Sequence, residues 1–340
     1  MERKGENMYK VSKELKDRTK ELNEKLKTKY NKVFQMSKNE IISYIEENIG
    51  EIIKLESLPL EELKKYYEKG GIIGVDGSKN RIGSASPHFV ELYQGLAKCT
   101  KGQDSSVYKG DFYTPLYNEE EKNILNENEV KTNSEEKILN YKLSKIEVDA
   151  ALEGINKFNP SVVMMDGSLI RYNIECNNEW IKLKDECEKR KIILIGVIKE
   201  IETSIIGNSM IKNKILKDYE IFGDREMLYG LLEYKDMILI ETNVGNKNEA
   251  GLSSAFIRSS FSPTAIGLDI LESQRDCIID MGRLVVSLTA ENSRGVPLWL
   301  DIVDKEVKIS DKMMRGILET ALDREILEKL FISERDKRWL

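Results

Sequence analysis

Two apolar runs in this 340-residue chain end in the same tripeptide, in GIIGVDGS at residues 71–78 and in VVMMDGSL at 162–169. A lone Asp-Gly is a common turn, because Gly accepts φ > 0 and Asp hydrogen-bonds its own backbone. Two copies, each closing a run that reads as a buried strand, constrain the fold far more. If the two strands lie side by side and parallel, their C-terminal ends share one sheet edge. Asp76 and Asp166 then project into one crevice, where ligands of α/β sheets bind. Each following Gly lets the chain turn away and leaves room for a metal ion or a phosphate.

The remaining segments supply a sheet around that pair. HFVELYQGLAKC and SSVYKGDFYT read as two further strands joined by a KGQD turn, an antiparallel meander with the first run. A helix is expected from about Ser134 to Phe158, ended by Asn159-Pro160. VVMMD follows as a buried strand, NNEWIKLKDECEKRK as a helix and IILIGVIK as another buried strand. Later come a helix at GDREMLYGLL capped by Asp224, strands DMILIE and AFIRSS, a helix at DCIIDMGRLVVSLT and two closing helices. The fold class is therefore α/β, a mixed sheet with helices on both faces, filling residues 70–330.

Ahead of it, residues 1–69 read as an N-terminal helical extension. Val11, Leu15, Leu22, Leu26 and Val33 fall within a stripe of about 60° on one helix. That helix either lies on the body or docks a second subunit or partner. A second helix is expected near residues 37–56, with Ser37 or Asn39 as N-cap. The acidic, Asn-rich and aperiodic stretch NEEEKNILNENEVKTNSEEK reads as a mobile insertion near residues 114–135.

Composition restricts the chemistry. The single histidine, His88, excludes any mechanism needing two and argues against a His-based triad. The four cysteines have no zinc spacing, so reduced thiols are expected. Any metal would be held by carboxylates, which favours Mg²⁺ or Mn²⁺. A net charge of −6 argues against an all-over basic nucleic-acid binder and is compatible with an acidic metal site that offsets local basic contacts. No run of membrane-spanning length and no secretory h-region is present, so a cytoplasmic protein without a membrane partner is expected.

The helix between the two aspartates carries Glu147 and Glu153. Glu147, one turn on from Leu143, is the preferred partner for the aspartates, and Glu153 stays open. Three carboxylates at one point repel each other without a cation. A pair of Mn²⁺ or Mg²⁺ ions about 4 Å apart relieves the repulsion and suits in-line attack of water on a phosphodiester.

GVDGS, the helix with its Glu, MMDGSL, IGVIK, DREML and RGVPLWLDIVDKEV together resemble the NurA nuclease family, over roughly residues 70–320. The resemblance implies an RNase H-like fold and a Mn²⁺-dependent nuclease acting on DNA, a 5′→3′ exonuclease and single-strand endonuclease. It also implies a homodimer working with a HerA-type hexameric ATPase in DNA end processing, for repair or for defence. Carried onto this chain, it makes Asp76, Glu147 and Asp166 catalytic metal ligands. It makes Lys199 a strand-end lysine for phosphate or water, and Arg258 a contact to the DNA backbone. Many members carry an aromatic residue before the late proline and a histidine soon after. Here Val296 precedes Pro297, and Asp301 and Asp304 follow. Asp304 is favoured as a fourth ligand, with Asp301 as its alternative. Phe112 and Tyr113 offer stacking faces for unpaired bases, against core packing as the commoner role. Two other readings compete. One is a catalytically weak RNase H-like adaptor for the ATPase ring, motivated by the missing histidine. The other is an actin-like ATPase, whose Asp-Gly-Ser/Thr turns also hold phosphates.

Overall fold

Alternation along the two Asp-Gly-Ser strands sends successive side chains into opposite layers, which places both strands mid-sheet. The computed structural model describes residues 12–102, 105–117, 134–217, 222–245 and 247–331. Nine strands form the sheet: β1 (Gly50–Lys54), β2 (Ile72–Gly83), β3 (Phe89–Cys99), β4 (Ser106–Tyr113), β5 (Val162–Asp166), β6 (Ile193–Ile198), β7 (Asp236–Ile240), β8 (Leu252–Ile257) and β9 (Ile266–Leu271). Their order is β1-β7-β8-β9-β6-β5-β2-β3-β4. β2, β5 and β6 run parallel to one another, and every other pairing is antiparallel. The expected pairing of the two Asp-Gly-Ser strands is thus present, with Val75 opposite Met165.

Ile73, Val75, Val163 and Met165 face one layer, formed by α4 (Ser134–Phe158), α5 (Leu169–Glu175) and α6 (Asn177–Arg190). Ile72, Val162 and Met164 face the other, which holds α3 (Leu60–Glu68), α9 (Ile278–Ser287) and α10 (Leu298–Val307). α4 stops where Asn159 takes φ 45° ahead of Pro160. α10 lies close on β2 because Gly74 leaves space for it: a Cβ there would meet Trp299 Cδ1 at 3.0 Å and Val303 Cγ2 at 3.1 Å. The Trp299 indole N–H donates to Lys98 O at 3.0 Å, and Gln94 donates to Val307 O at 3.0 Å. These contacts fix both ends of α10, and α11 (Asp311–Ala321) follows under the long arms of β2 and β3.

Several elements differ from expectation. The second N-terminal helix, α2 (Lys38–Asn48), is capped at Ser37 by a reciprocal capping box with Glu40, and it stops at Asn48. The following GEIIK, expected to continue the helix, is β1, the sheet's edge strand against β7. The sheet's need for an edge partner overrides a helical pattern that ended in β-branched residues. β9, α3, α5 and α7 (Ile205–Lys212) were not anticipated. α8 (Asp224–Leu228) is short, and Asp224 does not cap it. Its carboxylate accepts from the Ile205 and Ile206 N–H groups and so caps α7. Along α1 (Lys13–Gln35), Leu15, Leu22 and Leu26 are exposed, while Val33 at its end is buried. Tyr113 is buried against Phe89, with ring centroids 6.0 Å apart, so it offers no stacking face; Phe112 is exposed. Most of the expected insertion near 114–135 lies outside the described residues. Among the described residues, no helix is long and apolar enough to cross a membrane.

Gly74→Val tests the seat of α10. Overpacking at that contact should lower the unfolding free energy by about 1–3 kcal/mol, read by urea denaturation.

Candidate metal centre

β5 ends at Asp166, but β2 does not end at Asp76. It continues to Gly83, paired with β3 through Gly77–Gly95 and Ser78–Gln94. The first Asp-Gly-Ser is therefore a strand interior, and Gly77 serves close approach where a turn was expected. A Cβ at Gly77 would lie 2.5 Å from Glu147 Oε1, so only glycine lets the α4 glutamate pack this close on β2. The second copy does turn, with Gly167 at φ 112°.

Each serine pins a distant segment. The Ser78 hydroxyl accepts from Ile309 N–H at 3.0 Å, just past α10. The Ser168 hydroxyl donates to Asp269 of β9 at 2.6 Å, and the same carboxylate accepts from Leu169 N–H at 3.1 Å. Asp269 is fully buried and takes further bonds from Lys247 and Ser254. It locks the turn that aims Asp166. The sequence held a trace of it, one carboxylate inside the apolar run IGLDIL.

With both strands and α10 placed, Asp76, Asp166 and Asp304 converge. Each offers a carboxylate oxygen, and these lie within 4.8 Å of one another. The Lys199 ammonium pairs with Asp166 and stands 4.0 Å from Asp304. Glu147 is buried beside this group and is itself held by Arg171 and by the Tyr172 hydroxyl. Glu153, the alternative, is exposed and pairs with Lys109 on β4. Asp301, the alternative to Asp304, bonds Arg294 at 2.6 Å. Arg258 stands apart from the cluster in its bonding. Its guanidinium donates to the carbonyls of Leu232, Phe261 and Ser262 and holds the loop after β8 together. Arg171 and Tyr172 were not singled out from sequence, because seven residues are too few for a helical pattern to show.

The electrostatics are those of an acid cluster lacking enough positive charge. Burial pushes Asp76 up to about 8, and the charges of Asp166 and Glu147 add to it. Asp166 is raised by burial against the opposing pull of Lys199. Burial lifts Glu147 to about 7, with Arg171 and Tyr172 pulling the other way. A set of hard oxygen donors that holds protons for want of cations fits a divalent ion such as Mg²⁺ or Mn²⁺. Lys199 supplies part of that positive charge from the chain itself.

A family model described as the NurA domain matches residues 70–309. Among solved structures, the NurA nuclease from Sulfolobus solfataricus matches with 13% identity, covering 94% of this chain and 98% of that one, at a TM-score of 0.57. An endonuclease V from Bacillus subtilis matches at 13% identity over 85% of this chain and 97% of that one, with a TM-score of 0.40. No curated protein matches the chain.

The proton balance gives a prediction. Asp76 holds its proton to about 8 when folded, against 3.8 ordinarily, so the folded state binds more protons than the unfolded one between those values. Its contribution to stability therefore falls as pH rises from about 4 to 8. In EDTA, Asp76→Asn should flatten the decline of melting temperature over that range. Added Mn²⁺ should raise the wild-type melting temperature more at pH 8 than at pH 6. Equal slopes for wild type and variant would contradict the assignment.

Proposed function

This chain belongs to the NurA domain family, and on that premise we propose that it is a metal-dependent deoxyribonuclease, a phosphodiester hydrolase. The observation that carries the reading is the convergence of Asp76, Asp166 and Asp304 at the edge shared by two parallel strands and α10. Asp76, Asp166 and Asp304 would hold the ions, with Glu147 completing the set from α4. Bound Mn²⁺ or Mg²⁺, two ions in this reading, would supply an activated water and charge stabilisation on the phosphate. Lys199 holds Asp166 in place and, with ions bound, would offer a cation to a phosphate oxygen. Arg294 keeps a second cation close by: its pKa is raised mainly by Asp301 and further by Asp304 and Asp166. Arg171 and Tyr172 keep Glu147 aligned. Arg258 shapes the loop after β8 through three carbonyls and is assigned a contact to the DNA backbone from there.

We further assign the chain a 5′→3′ exonuclease and single-strand endonuclease activity in DNA end processing. Its partners in this reading are a second copy of itself and a HerA-type hexameric ATPase. The exposed leucines of α1 support a docking role for the segment ahead of residue 70, since apolar side chains in a row on a free helix face gain by burial.

The test is cleavage of end-labelled single- and double-stranded DNA in Mn²⁺, Mg²⁺ and EDTA, with and without a HerA-type ATPase. Asp166→Ala should lose at least about a hundredfold in rate, and Lys199→Ala about ten- to a hundredfold. An Asp166→Ala protein that cuts at the wild-type rate would sink the reading. The product ladder gives the polarity.

A further inference from the structure

Beside the carboxylates lies a cavity of about 580 Å³ that the metal centre does not use. It opens on that centre, since Asp166, Lys199 and Arg171 form part of its wall. Most of the remaining exposed lining is apolar, with Ile170 and Ile174 from α5, Ile198 at the end of β6, Ile201, and Phe256 from β8, while Glu175, Glu200 and Glu202 are its further acids beside the buried Asp269. Three features mark it as a built seat. Its size falls within the roughly 300–1,000 Å³ of small-molecule pockets. Gly167 lines it, and a Cβ there would meet nothing within 4 Å, so the backbone beside Asp166 faces open space. Arg171, on its wall, is fixed in place, with Nη2 spent on Glu147 and Tyr172.

An apolar cavity that opens beside Asp166 and Lys199 fits a flat group of low polarity joined to the phosphate. On the strand handled next door, that group is a nucleobase. We propose that this cavity seats one unstacked base of the strand being cut, adjoining the phosphate presented to Asp76 and Asp166. The proposal rests on the nuclease reading above and adds the position at which the substrate is gripped. Apolar side chains take the base faces whatever the sequence, as aromatic and apolar platforms do for single strands. A base held in a duplex stack cannot enter, so a paired substrate must first release one nucleotide, at a cost of a few kcal/mol. A second cavity of about 620 Å³ borders it, with Thr203, Ile205 and Lys247 in both linings. Lys212 and Arg275 line that second cavity.

The test is an abasic scan. Single-stranded oligonucleotides carry one tetrahydrofuran residue, moved one position at a time. Cleavage in Mn²⁺ and binding in EDTA by fluorescence anisotropy are measured for each. A lost base at the seat should slow cleavage at the neighbouring phosphate, and weaken binding, by about fivefold or more. Other positions should change far less. Ile174→Asp alters the exposed lip and leaves the core alone, and Ile170→Phe narrows the slot. Both should erase the positional dependence while keeping the Mn²⁺-induced rise in melting temperature. Cleavage that proceeds with no positional dependence overturns the seat and leaves the nuclease reading intact. Absence of cleavage with every metal and partner overturns the nuclease reading, and the seat then stands or falls on the binding scan alone.

Discussion

Everything at this site follows from mutual repulsion between two partly buried acids, Asp76 and Asp166, over which the exposed Asp304 closes. Parallel pairing of β2 and β5 forces Asp76 and Asp166 together, and packing of α10 on Gly74 brings Asp304 over them. Such a group is stable only with protons or cations. Lys199, Arg171 and the raised pKa values of Asp76 and Glu147 are the partial answers available to the chain alone. The rest of the fold reads as scaffolding against that repulsion. Ser78 ties β2 to the chain beyond α10, and Ser168 with Asp269 ties the β5 turn to β9. The repeated tripeptide thus divides its labour: the acid for the centre, the glycine for space, the serine for restraint.

Much of this design was legible in the sequence. Apolar runs of strand length, the helix over 134–158 with its Asn-Pro stop, and the parallel pairing of the Asp-Gly-Ser strands could be read from period and punctuation. The choice of Glu147 over Glu153 followed from helical spacing to Leu143, and the structure places Glu147 against Gly77 and Glu153 against Lys109. What escaped was non-local. GEIIK joins the sheet only because β7, nearly two hundred residues later, needs an edge partner. Asp224 caps a helix that precedes it in the chain. Tyr113 turns inward because a strand's period of two gives Phe112 and Tyr113 opposite fates.

The same limit applies to charge. A net charge of −6 says nothing about where the cations are. Several are tied up inside: Lys247 on Asp269, Arg171 on Glu147, Arg258 on three carbonyls. Removing any of them would leave a buried acid or a row of carbonyls unpaired, which is more damaging than losing a surface ion pair. Among the described residues, Lys199 and Arg294 are cations paired with acids at or beside the cluster, Lys199 with Asp166 and Asp304 and Arg294 with Asp301.

Asp304 reaches the cluster on α10, far along the chain from Asp76, and from the layer opposite to α4. The order of synthesis follows from that placement. A polypeptide emerging from the ribosome can pair β2 with β5 and form the crevice long before its third acid exists. Until residue 304 is out and α10 has found Gly74, the nascent molecule holds two aspartates and a lysine on an uncovered sheet face. A fragment broken ahead of α10 would be arrested in that same half-assembled condition. The acid that completes the centre is thus also the one that reports, by its arrival, that nearly all of the body has been made.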